Sequence, residues 1–463
     1  MRNISWALAA LVACLCGTVS AQVFLVVEDT GGDPAKRVIT VTAPGVYKAE
    51  VWQASGGGMN RFFNLAAGPQ AKPFDAAQGR EPVERVNLTR EASGLLEIGW
   101  HCAHYAGPDR EDCCPAHILK QSPRVKTDAK TGKEVRTPCS DGCASWPSTN
   151  KKEIARKTKD PSVMGTVEVI EKSPARVRIR AKAPFNWWAI WVHKLECTTT
   201  YTFYPTGRIV AQVHITNPGD RTVHWSSEYG PHLMVQGDSR KAEDDLGFAW
   251  STPKFERFDK TPGAAEELML ASSDKVKTSF FITIPPEAEK VFDRHMRHNG
   301  RSIGWDRCGY GSGGVVMQPG YDETWTCLIQ MGTPGAALVP DLKTATDALP
   351  YALDYREPAK ITGVPMGIGI TDDPGDLNAD GFNESEGCYV LRGPGPLSFT
   401  FEKGKGAGLA PVFKIVGWNG DAPKSVKVDG KDVPCNADVV GGKLILQVLG
   451  TVTGDRAQIT IGR

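Results

Sequence analysis

The sequence has no internal apolar run approaching the roughly 20 residues of a membrane-crossing helix. An excess of one charge is missing too. Lys and Arg number 54 against 53 Asp and Glu, so the chain as a whole is not built to hold a nucleic-acid polyanion. No GxxxxGK[ST] phosphate loop and no HExxH is present, and with them goes the expectation of an organic cofactor. Helical periodicity is scarce, and no solenoid repeat is evident. What remains is 49 Gly, 32 Pro and many short alternating runs, a composition that suits β-sheets joined by turns.

The N-terminus reads as an export signal. Arg2 precedes an apolar stretch from Ile4 to Cys16, and Val19-Ser20-Ala21 fits a small-residue cleavage site, which sets residues 1–21 apart as signal peptide. A lipoprotein signal is the rival reading, because Leu11-Val12-Ala13-Cys14 has the form of a lipobox. Either way the chain is expected outside the cytoplasm, secreted or periplasmic. Ten cysteines follow the signal, and an even number in an exported chain predicts disulfides. Cys388 and Cys435, alone after Cys327, are expected to pair with each other.

Strands are predicted from Val23 through Trp100, with Tyr47, Ala49 and Val51 on one side and Lys48 and Glu50 on the other. Residues 101–160 break the pattern. Five Cys and three His fall between His101 and Cys143, and Lys120 to Asp160 carries 11 Lys/Arg against 5 Asp/Glu. This is a basic, Cys-rich insertion within a β-region spanning 22–340. Strands resume in GTVEVIEKS, ARVRIRAKA, LECTTTYTFY and GRIVAQVHITN. Pro285-Pro286 opens a predicted helix, EAEKVFDRHMRHN, that ends before Gly300. Residues 341–360 read as a linker containing a short helix, and 361–463 as a smaller β-sandwich.

The order VYKAEVWQASGGGMNRFFNLA, VEVIEKSPARVRIRA, TTTYTFYPTGRIVAQVHITNPGD and QPGYDETWTCLIQMG resembles the galactose-mutarotase-like supersandwich. YTFYPTGRIVAQV looks most like the β-domains of polysaccharide lyases. The resemblance implies an all-β fold, a large antiparallel supersandwich followed by the smaller sandwich, and a protein acting on extracellular polysaccharide. The helical toroid that carries the catalytic base in many such lyases has no counterpart here.

Three constellations are candidates for chemistry. In DLNADGFNESE, oxygen-bearing side chains at alternate positions precede Gly381, as in dockerin and EF-hand calcium loops. Asp376, Asn378 and Asp380 would supply side-chain oxygens, Phe382 its carbonyl, and Glu384 or Glu386 a closing carboxylate around a structural calcium. The plain alternative is a solvated acidic turn. In WHCAHYAGPDREDCCPAH, the residues His101, His104 and His117 among cysteines could bind zinc or copper, or could sit in a disulfide-stapled loop. In HWSSEYGPHLM, Tyr229 or His232 could remove the proton α to a uronate carboxyl, with Arg208 or Arg301 neutralising that carboxyl. Trp187, Trp188, Trp191 and His193 in NWWAIWVHK could stack on sugar faces, or pack in the core.

The reading that follows is a secreted carbohydrate-active protein, polysaccharide lyase-like, performing β-elimination on a glycan that the basic insertion suggests is acidic. Two alternatives stand beside it. One is a non-catalytic glycan-binding or envelope protein, and the other a sugar epimerase using Glu228 and His232.

Overall fold

A computed structural model describes residues 24–34, 36–53, 57–65, 165–184, 195–220, 278–289, 315–331, 342–364 and 375–462, together with short strand segments between them. Nearly all of this is β-structure. No helix among the described residues is long and apolar enough to cross a membrane.

Four strands, β1 (Val26–Asp29), β2 (Val38–Ala43), β3 (Tyr47–Trp52) and β4 (Gly58–Asn64), make an antiparallel meander. Its inner face carries Ile39, Val41, Ala43, Tyr47, Ala49 and Val51, all fully buried. The alternation read in the sequence thus places its odd-numbered residues in the core.

That core is shared with a nine-stranded sheet. Its central strands are β5 (Thr166–Lys172), β6 (Val177–Pro184), β7 (Glu196–Phe203), β8 (Arg208–Thr216), β9 (Thr278–Thr283) and β10 (Asp322–Met331). They lie in the order β9, β10, β8, β7, β6, β5, and the segments 269–273, 248–251 and 256–257 continue the sheet beyond β9. The tight β7–β8 turn uses Gly207 at φ +82°, a conformation that suits glycine. Along β8, Ile209, Ala211, Val213 and Ile215 enter the shared core, while Val210 turns to the opposite face and joins a second core. β8 is therefore covered on both sides for part of its length.

The second core belongs to the C-terminal region. The strands are β11 (Lys360–Thr362), β12 (Phe382–Asn383), β13 (Cys388–Arg392), β14 (Leu397–Glu402), β15 (Val412–Val416), β16 (Ser425–Val428), β17 (Lys431–Val440), β18 (Lys443–Val448) and β19 (Arg456–Ile461). Their order is β11, β14, β19, β16, β17, β18, β15, β13, β12. β17 pairs with β16 through residues 431–434 and with β18 through residues 435–440, so it passes from one layer to the other. Between the layers Phe399, Phe401, Phe413 and Tyr389 stack edge-on or tilted with ring centroids 5.2–6.3 Å apart.

Two expectations are corrected. The helix expected over residues 287–299 is one described turn, α1 (Pro286–Glu289), and His295–Met296 is a strand segment. The helix expected within residues 341–360 is α2 (Leu342–Arg356), whose Ala348, Ala352 and Tyr355 are buried in the second core. The Cys388–Cys435 bridge is not made, and no disulfide joins any of the four described cysteines, Cys197, Cys327, Cys388 and Cys435. β13 and β17 are separated by β15 and β18, so the two residues are about 14 Å apart at the usual strand spacing, twice the reach of a disulfide. Cysteine spacing carries no information on that strand order. The other six cysteines beyond residue 21, including those of the insertion, lie outside the described residues.

Candidate functional site

The acidic loop expected to bind calcium is described from Gly375 onward, and its geometry follows from its Asx turns. Asp376 accepts the amides of Asn378 (3.3 Å), Ala379 (2.7 Å) and Gly381 (3.1 Å). Asn378 Oδ1 accepts Asp380 N (3.0 Å), and Asp380 Oδ1 accepts Phe382 N (2.8 Å). This winds the chain tightly enough to bring carboxylate oxygens of Asp376, Asp380 and Glu384 within 4.8 Å of one another. Ala379 and Gly381 take positive φ, +61° and +102°, to complete the turn.

Such crowding of like charge is costly without a cation. Burial, and after it the charges of Asp380 and Asp376, push Glu384 up to about 8 against the opposing pull of the Leu377 amide. Asp380 is raised by burial and by Asp376. Three carboxylate oxygens within 4.8 Å of one another are hard donors of the type calcium takes, three of the six to eight it requires. Asn378 Nδ2 donates to Glu287 Oε1 of α1 (3.3 Å), tying the loop to the end of β9. The Phe382 ring is packed in the second core.

Glu386 does not join the cluster. Its carboxylate turns to the other side and meets Arg176 Nη1 (2.6 Å), Arg178 Nη1 (3.2 Å) and Lys414 Nζ (3.1 Å). Burial alone would raise this carboxyl, but the three cations outweigh it and hold it well below the ordinary carboxylate range. Of the two glutamates offered as the closing ligand, Glu384 faces the acidic cluster and Glu386 anchors the C-terminal sheets to the large one.

Arg208 was expected to meet a substrate carboxylate. It is 8% exposed, and its Nη2 donates to Leu409 O (2.9 Å) across the same seam, so here it joins two parts of the fold and is closed to solvent. Tyr229, Arg301, Trp187, Trp188, Trp191, His193 and Glu228 lie outside the described residues, as do His101 and His117. His232 begins a strand segment opposite Gly304 and Glu97. His104 and His224 are opposite each other in another short ladder, which brings the backbones of two separately read motifs together.

Sequence reasoning missed the cluster around Glu386. The available signal was ARVRIR, whose alternation puts Arg176, Arg178 and Arg180 on the polar side of a strand. What covers the first two comes from 210 residues further along the chain.

No protein-family model matches the chain, and no curated protein matches it. Solved structures similar to it include a galactose mutarotase-like protein from Clostridium acetobutylicum, at 10% identity and a TM-score of 0.31, over 67% of this chain and 99% of that one. A galactose 1-epimerase from Lactobacillus acidophilus gives 8% identity and a TM-score of 0.32 over 67% and 98%. An α-galactosidase from Geobacillus stearothermophilus gives 8% and 0.29 over 67% and 41%.

Proposed function

We propose that this is an exported carbohydrate-active protein, polysaccharide lyase-like, acting by β-elimination on acidic glycan, with a calcium ion bracing its C-terminal sheets. The calcium reading rests on one observation, the convergence of Asp376, Asp380 and Glu384 oxygens within 4.8 Å. When bound, calcium would supply positive charge to three crowded carboxylates and fix the loop between α1 and β12. The carbohydrate reading is supported by the motifs carried on β3, β6, β7, β8 and β10, and by the antiparallel architecture those motifs build. Tyr229 or His232 would take the proton α to the uronate carboxyl.

Two measurements on the full chain test this. Calorimetric titration with calcium should show saturable binding that is lost in Asp380→Ala. A panel of acidic glycans should yield an unsaturated uronate product, followed by its ultraviolet absorbance, and the product should vanish in Tyr229→Phe or His232→Ala. Saturable glycan binding with no product from any glycan would favour a binding protein instead. The position of Arg208 favours that second reading, because its guanidinium is engaged by Leu409 within the fold.

A further inference from the structure

The C-terminal sheets sit on the outer face of the large sheet, and the ions at that seam have an unusual arrangement. Glu386 reaches Arg176 and Arg178 across the seam, yet it also holds Lys414 of β15 on its own side. Arg176 in turn grips Glu171 of β5 with two parallel bonds of 2.6 and 2.7 Å on its own side. Parting the two surfaces would separate Arg176 and Arg178 from Glu386. It would leave two intact pairs behind, Arg176–Glu171 and Glu386–Lys414.

The other polar contacts across the seam are of a kind that water can replace. Tyr204 Oη donates to Glu386 O (2.5 Å), Arg208 Nη2 to Leu409 O (2.9 Å), Gln212 Nε2 to Ser385 Oγ (2.7 Å), and Gln447 Nε2 to Thr206 Oγ1 (3.0 Å). Thr326 Oγ1 donates to Glu384 O (3.3 Å), Asn378 Nδ2 to Glu287 Oε1 (3.3 Å) and Arg356 Nη1 of α2 to Ile284 O (2.7 Å), and the Thr326 and Tyr355 hydroxyls meet. Among the described residues the large sheet gives Val210, Phe281 and Leu328 to the second core, whose other members come from α2 and the C-terminal region, and Tyr204 packs with Cys388 and Val412 in a smaller cluster. An interface of this composition resembles a transient protein–protein contact more than a domain interior. A buried ion pair across it gains little net free energy, because desolvation offsets the Coulomb attraction.

We propose that the C-terminal sheets form a lid that docks reversibly on the outer face of the large sheet, with Glu386 as its catch. The lid, α2 with the C-terminal region, opens as a folded unit, since all of the second core but Val210, Phe281 and Leu328 comes from it. Opening uncovers the guanidinium groups of Arg176, Arg178 and Arg208 together with Thr202 and Gln212. In the docked state two of those arginines are occupied by the Glu386 carboxylate. The inference does not depend on glycan chemistry or on calcium.

The seam offers its own lock. A Cβ placed on Gly387 would lie 4.0 Å from Val210 Cβ, inside the range a disulfide spans. The full-length V210C/G387C protein, oxidised and reduced, is compared with wild type by phenylglyoxal modification of Arg176, Arg178 and Arg208, read by mass spectrometry, beside amide hydrogen exchange of β15 and β18. In wild type the three arginines should be modified at least tenfold faster than β15 and β18 open to exchange. The oxidised lock should slow that modification at least tenfold, and reduction should restore it. Glu386→Gln should speed the modification of Arg208 while β15 and β18 keep their protection. If the arginines in wild type are modified no faster than β15 and β18 open, or if the oxidised lock leaves their modification unchanged, the lid does not open and the proposal fails. If Glu386→Gln exposes β15 and β18 to the same degree as the arginines, the C-terminal sheets are not an independent unit and the proposal fails equally.

Discussion

Glu384 and Glu386 stand two residues apart and send their carboxylates to opposite sides of one short segment. The first faces Asp376 and Asp380, and the second faces Arg176. Ser385 between them receives a hydrogen bond from Gln212, and Glu384 O accepts from Tyr355 (2.6 Å). Three consecutive residues thus connect an acidic loop to α2, to β8 and to Arg176 beside β6.

Calcium should stabilise the C-terminal sheets. A ligand that binds only the folded form adds RT ln(1 + [L]/Kd), about 2.7 kcal/mol at a hundredfold excess over Kd. A chelator should lower the melting temperature of wild type and leave Asp376→Ala unmoved. Glu384 must lose its proton to serve, and it is pushed up to about 8, so calcium affinity should rise as pH climbs from 6.5 to 8.5. Calorimetry in two buffers of different ionisation enthalpy would read the released proton directly.

Acid should act on the seam through Glu386. Its carboxyl is held below the ordinary range, so the stability it contributes is fully present above the unfolded value of about 4.3. That contribution is lost as pH falls through the lower folded value. Urea unfolding of wild type between pH 5 and 3 should therefore show stability declining with acid, and Glu386→Gln should flatten that part of the slope.

Gly57 should resist substitution. It takes φ +83° between β3 and β4, and an added Cβ would lie only 2.0 Å from Ala181 Cβ on β6. Gly57→Ala is expected to cost about 1–3 kcal/mol from overpacking, with a further 1–2 kcal/mol or so for the left-handed backbone. Ala181→Gly should return the steric part alone, which a double-mutant cycle in urea would resolve.

Phe413 is fully buried amid Tyr389, Phe399 and Phe401. Phe413→Ala should cost about 3–5 kcal/mol. Near-ultraviolet circular dichroism should lose intensity with it, because the ring cluster is broken.

The local β-pattern was legible because period-two alternation is a short-range signal. Tyr47, Ala49 and Val51 declared their face within five residues, as did Ile209 to Ile215 along β8. The order of strands was not, because it depends on pairings far apart in sequence, and that is why a bridge between Cys388 and Cys435 looked reasonable. The acidic loop was legible in its spacing, since Asx turns are built from neighbours. Which of Glu384 and Glu386 turned inward was decided by Arg176 and Lys414, which no local reading of NESEG contains. Arg208 looked available for the same reason: Leu409, its acceptor, lies 201 residues away.

The passage of β17 between layers also says where this protein will accept foreign sequence. Pro434 and Cys435 stand where the strand changes partners, so an insertion there would uncouple the two layers at once. The hairpin immediately after it is different. Gly441 and Gly442 both take positive φ, +56° and +73°, and both are exposed with open space around them. A peptide tag or a small domain spliced between those glycines would extend outward from a hairpin tip, and new chain ends made there by circular permutation would leave every rung of β17 and β18 in register.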